Sequence, residues 1–378
     1  MKQVTILGST GSIGRQALDV VHMHPEEFQI RALGAGQNEA AFSKQLLSER
    51  PALASFARDI PVPEGTKLYT GPEGAEQLAS DPDTDIVVLG ISGFAALKPL
   101  LAALRAGKRV ALANKESIVC GGALIKKALA ESSGRIFPVD SEQSAIFQCL
   151  QNGRREEVEK LLLTASGGPF LHLSRAELSY ITPEQAVAHP TWSMGRKISL
   201  DSATMFNKGL EIMEAAGLFD FPADKIQVLI HPQSIVHSMV AYRDGTVIAD
   251  MAKPDMRLAI QYAMTYPDRI PSPAGPLNFA AVGPLTFIAP SFERFPALSM
   301  AYACAKKARC YPAVYNGANE QAAALFFSGA IRFDEIETCV SFALDAFPGE
   351  DDTTLEAVLA ADAFSREAVL RYCAKHRA

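Results

Sequence analysis

The chain lacks a basic block. Its 36 Lys and Arg are outnumbered by 42 Asp and Glu, for a net charge of −6. With no aromatic–basic interleaving and no finger spacing either, nucleic acid is excluded as a partner. Cysteine is scarce: Cys120, Cys149, Cys304, Cys310, Cys339 and Cys373 form no CxxC and keep no regular spacing. A disulfide framework is thereby excluded, and the pattern reads as reduced, buried thiols of a cytoplasmic protein. No apolar run approaches the roughly 18 residues that span a bilayer, so no membrane association is expected. "MKQVTILGSTG" enters a strand-turn pattern at once, so no leader is expected ahead of the fold. Internal repeats and low-complexity tracts are also missing. What remains is the composition of a soluble globular protein, 48% hydrophobic and 21% charged, long enough for two or three domains.

The first 130 residues alternate short apolar runs with helical stretches. "VTILG" (4–8), "FQIRALGAG" (28–36), "TDIVVLGIS" (84–92) and "KRVALANKE" (108–116) read as buried strands, and non-alternating strands separated by helices predict a doubly wound parallel sheet. From 131 to 265 the pattern is mixed α+β and dense in polar motifs. "QSIVHSMVAYRDGTVIADM" (233–251) predicts a hairpin turning at Arg243-Asp244-Gly245. A Pro-rich linker opens 266–290, and residues 291–378 carry helical spacing that predicts a small bundle. The fold class is therefore α/β: a Rossmann-like sheet, an α+β catalytic domain and a C-terminal helical domain.

"VTILGSTGSIGRQALDVV" sets Gly8, Gly11 and Gly14 between a strand and a helix. This G-x-x-G-x-x-G spacing lets backbone approach a pyrophosphate, which then meets the amides and dipole at the helix start; the plainer reading is a tight turn without a ligand. The next strand ends in Gly34 to Asn38 with no Asp or Glu. An acid there would hold a ribose 2′-hydroxyl and repel a 2′-phosphate, so its absence favours NADP over NAD. No Lys or Arg stands in that tract to meet the phosphate.

"FPVDSEQSAIFQ" (137–148) flanks Ser141 with Asp140 and Glu142. In extended chain both side chains point one way; alternatively the acids open a helix, where its dipole favours them. In "SLDSATMFNKGLEIMEAAGLF" (199–219), Asp201 or Ser202 would cap one helix running to Gly217. At about 100° per residue, Thr204, Asn207, Lys208 and Glu211 share one face, and Met205, Phe206, Leu210, Ile212 and Met213 the other. Asp140, Glu142 and Glu211 would together make an all-oxygen pocket suited to Mg²⁺ or Mn²⁺ rather than zinc. Ser166 on its glycine turn, Ser202, Asn207 and Lys208 read as a phosphate pocket. The segment "AHPTWSMGRKIS" (188–199), with the single Trp192, reads as a closing lid. His231 and His237 read as structural. Asn114, Lys115 and Glu116 end a strand where ligands of open α/β sheets bind, although a surface Lys–Glu cluster is the plainer account of such a pair.

"ILGSTGSIG", "LANKES", "PVDSEQSAIFQ", "ASGGPF", "HPTWSMGRKISLDSATMFNKGLE" and "HPQSIVHSMV" resemble the 1-deoxy-D-xylulose 5-phosphate reductoisomerase family, and "NGANE" (316–320) extends the likeness into the helical tail. The resemblance implies a homodimer of subunits with an NADPH domain (1–130), a catalytic domain carrying metal site, lid and dimer sheet (131–265), a linker (266–290) and a helical domain (291–378). It implies a metal-dependent rearrangement of a sugar phosphate followed by reduction with NADPH, in non-mevalonate isoprenoid biosynthesis. It further implies Asp140, Glu142 and Glu211 as ligands of Mg²⁺ or Mn²⁺. Substrate contacts would come from Lys115, Ser141, Glu142, Ser166, His189, Ser202, Asn207, Lys208 and Glu211, of which Lys115, Glu142, His189, Lys208 and Glu211 would be catalytic. Cofactor contacts would come from Thr10, Gly11, Ser12, Ile13, Gly36, Gln37, Asn38, Asn114, Glu116 and Gly195. Two departures stand out: Gln37 replaces a frequent Lys or Arg, and "SEQSA" replaces "SEHNA". A rival reading is an aspartate-semialdehyde-type NADP-dependent dehydrogenase, which needs a nucleophilic cysteine such as Cys149. A third is a non-catalytic dinucleotide sensor.

Overall fold

The computed structural model describes residues 1–188, 192 and 195–376. The chain divides into two compact units. Residues 1–117, 123–144 and 255–275 form one, and residues 118–122, 145–254 and 276–378 the other.

Strands and helices alternate through the first stretch of chain: β1 (Lys2–Leu7), α1 (Ser12–Met23), β2 (Phe28–Gly34), α2 (Glu39–Glu49), β3 (Leu53–Phe56) and β4 (Lys67–Thr70). Then come α3 (Gly74–Ala79), β5 (Ile86–Leu89), α4 (Leu97–Arg105), β6 (Arg109–Leu112), α5 (Lys115–Glu131), β7 (Arg135–Pro138) and α6 (Ser141–Leu150). The seven strands form one parallel sheet in the order β4-β3-β2-β1-β5-β6-β7. The sheet is doubly wound, as the apolar runs predicted, but three of its strands were not anticipated. β3, β4 and β7 span four residues each, and β4 at the edge is largely accessible, so none presents a long apolar run. Val4, Ile6, Leu33, Ile86, Val88 and Ala111 supply the buried sheet face, against which α1 lays Leu18 and Val21. The strand order reverses at β1, which makes the turn after β1 the sheet's switch point.

The second stretch holds β8 (Val158–Ala165), α7 (Arg175–Leu178), α8 (Pro183–Ala186), α9 (Arg196–Thr204), α10 (Phe206–Leu218), β9 (Ile226–Ile230), β10 (Val236–Tyr242) and β11 (Val247–Met251). Its four strands pair in the order β11-β10-β8-β9, with β8 and β9 parallel and β10 antiparallel to both neighbours. The hairpin turns where the sequence placed it: Tyr242 N donates to Thr246 O (2.8 Å) and Asp244 Oδ1 accepts from Thr246 N (2.9 Å). Next, α11 (Met256–Thr265) returns to the first unit and buries Ile260, Ala263 and Met264 in its core. The remaining helices are α12 (Phe279–Val282), α13 (Pro296–Lys307), α14 (Tyr311–Phe327), α15 (Glu335–Ala346) and α16 (Leu355–His376). The last four form the expected bundle around α14, whose Ala313, Tyr315, Ala318 and Ala322 are fully buried. No helix among the described residues is long and apolar enough to cross a membrane.

One helix reading is corrected. The segment expected to run unbroken from Asp201 to Gly217 is two helices, α9 and α10, separated at Met205, whose φ of 64° is left-handed. Thr204 contributes to the break. Its hydroxyl donates back to Leu200 O (2.9 Å), a bond that competes with the helix ladder.

Candidate active site

The turn after β1 is built for close approach. Gly8 has φ +84°, and a Cβ there would stand 2.6 Å from Gly90 O. The turn delivers the chain to α1, whose first residues have no side-chain cap and no acid among them. Its amides and dipole are therefore available to an anion. Gly11 and Ser12 are exposed, and Thr10 and Ile13 half-buried. A residue that sequence reasoning missed holds the turn from behind: Gln45 of α2 donates to Ser9 O (2.9 Å) and accepts from the Ser9 hydroxyl (2.8 Å). Nothing in its sequence context distinguishes Gln45 from a solvated helix residue. Gly36, Gln37 and Asn38 are exposed beyond β2, and the Asn38 side chain caps α2 by accepting from Ala41 N (3.1 Å).

Across the switch point, β6 and β7 end on the same edge of the sheet. Asn114 caps α5 by accepting from Ser117 N (2.8 Å), while its amide donates to Gly93 O (2.9 Å) and Glu116 Oε2 (2.7 Å). Cap and strand end together fix Lys115, which is 6% exposed and ion-paired with Asp140. The pair is buried, so it is not the surface Lys–Glu cluster of the plainer reading. Asp140 directly precedes α6, its carbonyl accepting from Ser144 N (2.8 Å), so "DSE" opens a helix rather than continuing a strand. The α6 dipole favours both acids there. Ser141 donates to Glu142 Oε2 (2.5 Å). Burial holds the Asp140 carboxyl above the usual carboxylate range; the Lys115 ammonium draws it down and the Glu142 charge pushes it up again.

On α10, Glu211 is 1% exposed and Lys208 3%. Both belong to the polar face that the periodicity predicts, and both are buried. Asn207 Nδ2 donates to Glu211 Oε1 (2.5 Å) and Lys208 Nζ donates to Glu211 Oε2. Spacings of four and three residues on one helix bring all three together. Thr204 lies before the break and is not part of this face. The glycine turn after β8 packs on α9: Gly168, φ +67°, lies so close that a Cβ would stand 2.7 Å from Ser202 O, and its N donates to Ser166 Oγ (3.3 Å). Behind α9, Asn319 of α14 donates to Asp201 Oδ1 (2.9 Å), and Lys197 pairs with the same carboxylate.

His189 lies outside the described residues, as do 190, 191, 193 and 194 of the lid segment. Gly195 is the N-cap of α9 in extended conformation, and the Trp192 ring lies 6.2 Å from that of His237. His231 is fully buried. Its Nε2 accepts from Ile235 N and Val236 N (3.2 Å each), which places the proton on Nδ1, 2.8 Å from Thr286 O. That is a structural role.

Asp140, Glu142 and Glu211 make an acidic group that could hold a metal ion, each offering a carboxylate oxygen. A donor set of three carboxylates without His or Cys fits a hard divalent cation. The uncapped α1 terminus beside an acid-free β2 end fits a phosphorylated dinucleotide.

Comparison with known proteins gives a consistent picture. The 1-deoxy-D-xylulose 5-phosphate reductoisomerase family matches residues 4–122, its C-terminal domain matches residues 136–219, and the DXP reductoisomerase C-terminal domain matches residues 251–368. The chain is 47% identical over 378 residues to 1-deoxy-D-xylulose 5-phosphate reductoisomerase of Geobacter metallireducens, covering 97% of this chain and 98% of that protein. It is 48% identical over 381 residues to that of Cupriavidus metallidurans, covering 97% of each. A crystal structure of DOX-P reductoisomerase in complex with NADPH, fosmidomycin and magnesium superposes with a TM-score of 0.94 at 36% identity, covering 100% and 99% of the two chains. The Zymomonas mobilis enzyme in complex with NADPH gives 0.91 at 39% identity, covering 98% of each.

Proposed function

This chain belongs to the 1-deoxy-D-xylulose 5-phosphate reductoisomerase family, and we propose that Asp140, Glu142 and Glu211 are the side chains that hold its divalent metal. The enzyme rearranges 1-deoxy-D-xylulose 5-phosphate and reduces the product with NADPH to 2-C-methyl-D-erythritol 4-phosphate, using magnesium, in non-mevalonate isoprenoid biosynthesis. Fosmidomycin, bound by the solved relative, would occupy the same substrate site in this chain.

When bound, the divalent ion supplies Lewis acidity to a vicinal carbonyl and hydroxyl, and NADPH supplies hydride. The chain's residues do the rest. Lys115 fixes Asp140 and offsets part of its repulsion with Glu142, while Asn207 and Lys208 fix both oxygens of Glu211. Each carboxylate held this way keeps its own orientation between turnovers, so little local reorganisation is needed when the site is charged. Ser166, Ser202, Asn207 and Lys208, with His189, receive the substrate phosphate. Their binding energy orients the carbon skeleton at the far end. Ser141 steadies Glu142, and Thr10, Gly11, Ser12, Ile13, Gly36, Gln37, Asn38, Asn114, Glu116 and Gly195 line the cofactor's path. In this division residues 1–130 bind NADPH, 131–265 carry the chemistry, 266–290 link, and 291–378 buttress α9 and α10.

We further propose a cytoplasmic homodimer. Six buried cysteines support the compartment. The rival dehydrogenase is not favoured: Cys149 is buried, and burial pushes its thiol up to about 12, the wrong direction for a nucleophile. The observation that carries the metal assignment is the acidic group itself. Mn²⁺ titrated into the metal-free protein should bind one ion per chain, and Asp140→Asn and Glu142→Gln should each abolish that stoichiometric binding. Unchanged stoichiometry and affinity in both variants would remove the assignment.

A further inference from the structure

NADPH differs from NADH by one 2′-phosphate, which carries nearly two negative charges near neutrality. The tract after β2 that faces this part of a dinucleotide, Gly34 to Asn38, offers it no Lys or Arg. A bare amide at Gln37 and a helix N-terminus are a weak match for such an anion beside the bidentate, charge-assisted bonds of a guanidinium. The cation must come from a neighbouring element.

Sheet order identifies the neighbour. β3 pairs parallel with β2, Gly34 standing opposite Ser55, and Ala35 N donates to Ser55 O (2.9 Å). The two strands therefore end together, and the loop after β3 opens beside residues 35–38. That loop carries Arg58, 71% exposed, whose Nη2 is ion-paired with Glu39, the first residue of α2. Glu39 N in turn donates to Gln37 O (3.1 Å), so the pair lies one turn of backbone from Gln37. The arrangement serves twice. An uncompensated Glu39 would repel a phosphate at this end, and Arg58 neutralises it. A guanidinium has five N–H donors in a fixed fork, and the Glu39 contact leaves others for a second anion. Two other cations of this unit are directed elsewhere: Arg15 donates to Thr10 O (2.6 Å) at the pyrophosphate turn, and Arg31 is held by Asp81 and Asp83.

We propose that Arg58, reaching from the β3 loop, is the cation that receives the 2′-phosphate of NADPH in this chain and sets its preference over NADH. The inference rests on the NADPH reading above. As a mostly exposed side chain, Arg58 can be replaced without opening the core.

The test is calorimetric titration of the full-length protein with NADPH, NADH and adenosine 2′,5′-bisphosphate. Wild type is compared with Arg58→Gln, Arg58→Lys and Glu39→Gln. Arg58→Gln should weaken NADPH and the bisphosphate by about tenfold to a hundredfold, the range of a charged hydrogen bond, and leave NADH within twofold. Arg58→Lys should recover most of the loss, and Glu39→Gln should bind NADPH at least as tightly as wild type. Undiminished NADPH affinity in Arg58→Gln, or equal losses for NADPH and NADH, would overturn the assignment. A wild type that binds NADH as tightly as NADPH would instead overturn the cofactor reading, a separate outcome.

Discussion

Replacing Glu211 by Gln removes one charge and keeps the shape of the side chain. In wild type, Oε1 accepts from Asn207 and Oε2 from the Lys208 ammonium, with Glu211 1% and Lys208 3% exposed. Without this counter-charge Lys208 stays buried, and breaking such a pair costs about 3–5 kcal/mol of stability in the metal-free protein. The second effect is on the ion. Two unit charges about 4 Å apart at an effective dielectric of about 20 attract by about 4 kcal/mol, and the cation carries two. Losing one of three carboxylates should therefore weaken binding by at least about a thousandfold. Thermal unfolding with and without Mn²⁺ separates the two effects. At about a hundred times the wild-type Kd, the ion should stabilise wild type by about 2.7 kcal/mol and Glu211→Gln by less than about 0.1 kcal/mol. A variant that unfolds at a lower temperature yet gains the full metal-induced shift would show that Glu211 supports the fold only. The reasoning about the ion would then be wrong.

Two further outcomes are expected. Burial pushes the Asp81 carboxyl up, but hydrogen bonds from Arg31 and Thr84 and the charges of Arg31 and Lys108 outweigh it, so it titrates below its ordinary value. Its contribution to stability is full above the unfolded-state pKa of about 3.9 and is lost as pH falls through the lower folded value. Asp81→Asn should therefore lower Tm at neutral pH, and the difference from wild type should close below about pH 4; a gap unchanged between pH 7 and pH 3 would contradict the linkage. Alkylation of the native protein with iodoacetamide should leave turnover intact, because the Cys149 thiol is buried and pushed up to about 12. Rapid inactivation traced to Cys149 would revive the dehydrogenase reading.

How much of this was legible in the chain depended on whether the signal was local. Strand-turn-helix at Gly8 to Gly14, the hairpin at Asp244-Gly245 and the helical tail announce themselves within about twenty residues. β3 and β4 do not, because "LASF" and "KLYT" are too short to show a period and β4 lies at the sheet edge. The break at Met205 carries no Gly or Pro to mark it. A single-helix projection therefore placed Thr204 on the Glu211 face, although the left-handed residue resets the phase. The same projection placed Lys208 and Glu211 together on one face, and their mutual bond allows both to be buried there. Pairings distant in sequence, such as Gln45 with Ser9 or Asn319 with Asp201, left no trace that one sequence could reveal.

The most direct test is NADPH oxidation with 1-deoxy-D-xylulose 5-phosphate after chelation, followed by Mg²⁺ or Mn²⁺ add-back. Chelated enzyme should leave the absorbance of NADPH constant, and either ion should restore turnover in wild type but not in Glu211→Gln. Steady oxidation in the presence of chelator, or restoration in the variant equal to that in wild type, would contradict a metal held by these three carboxylates.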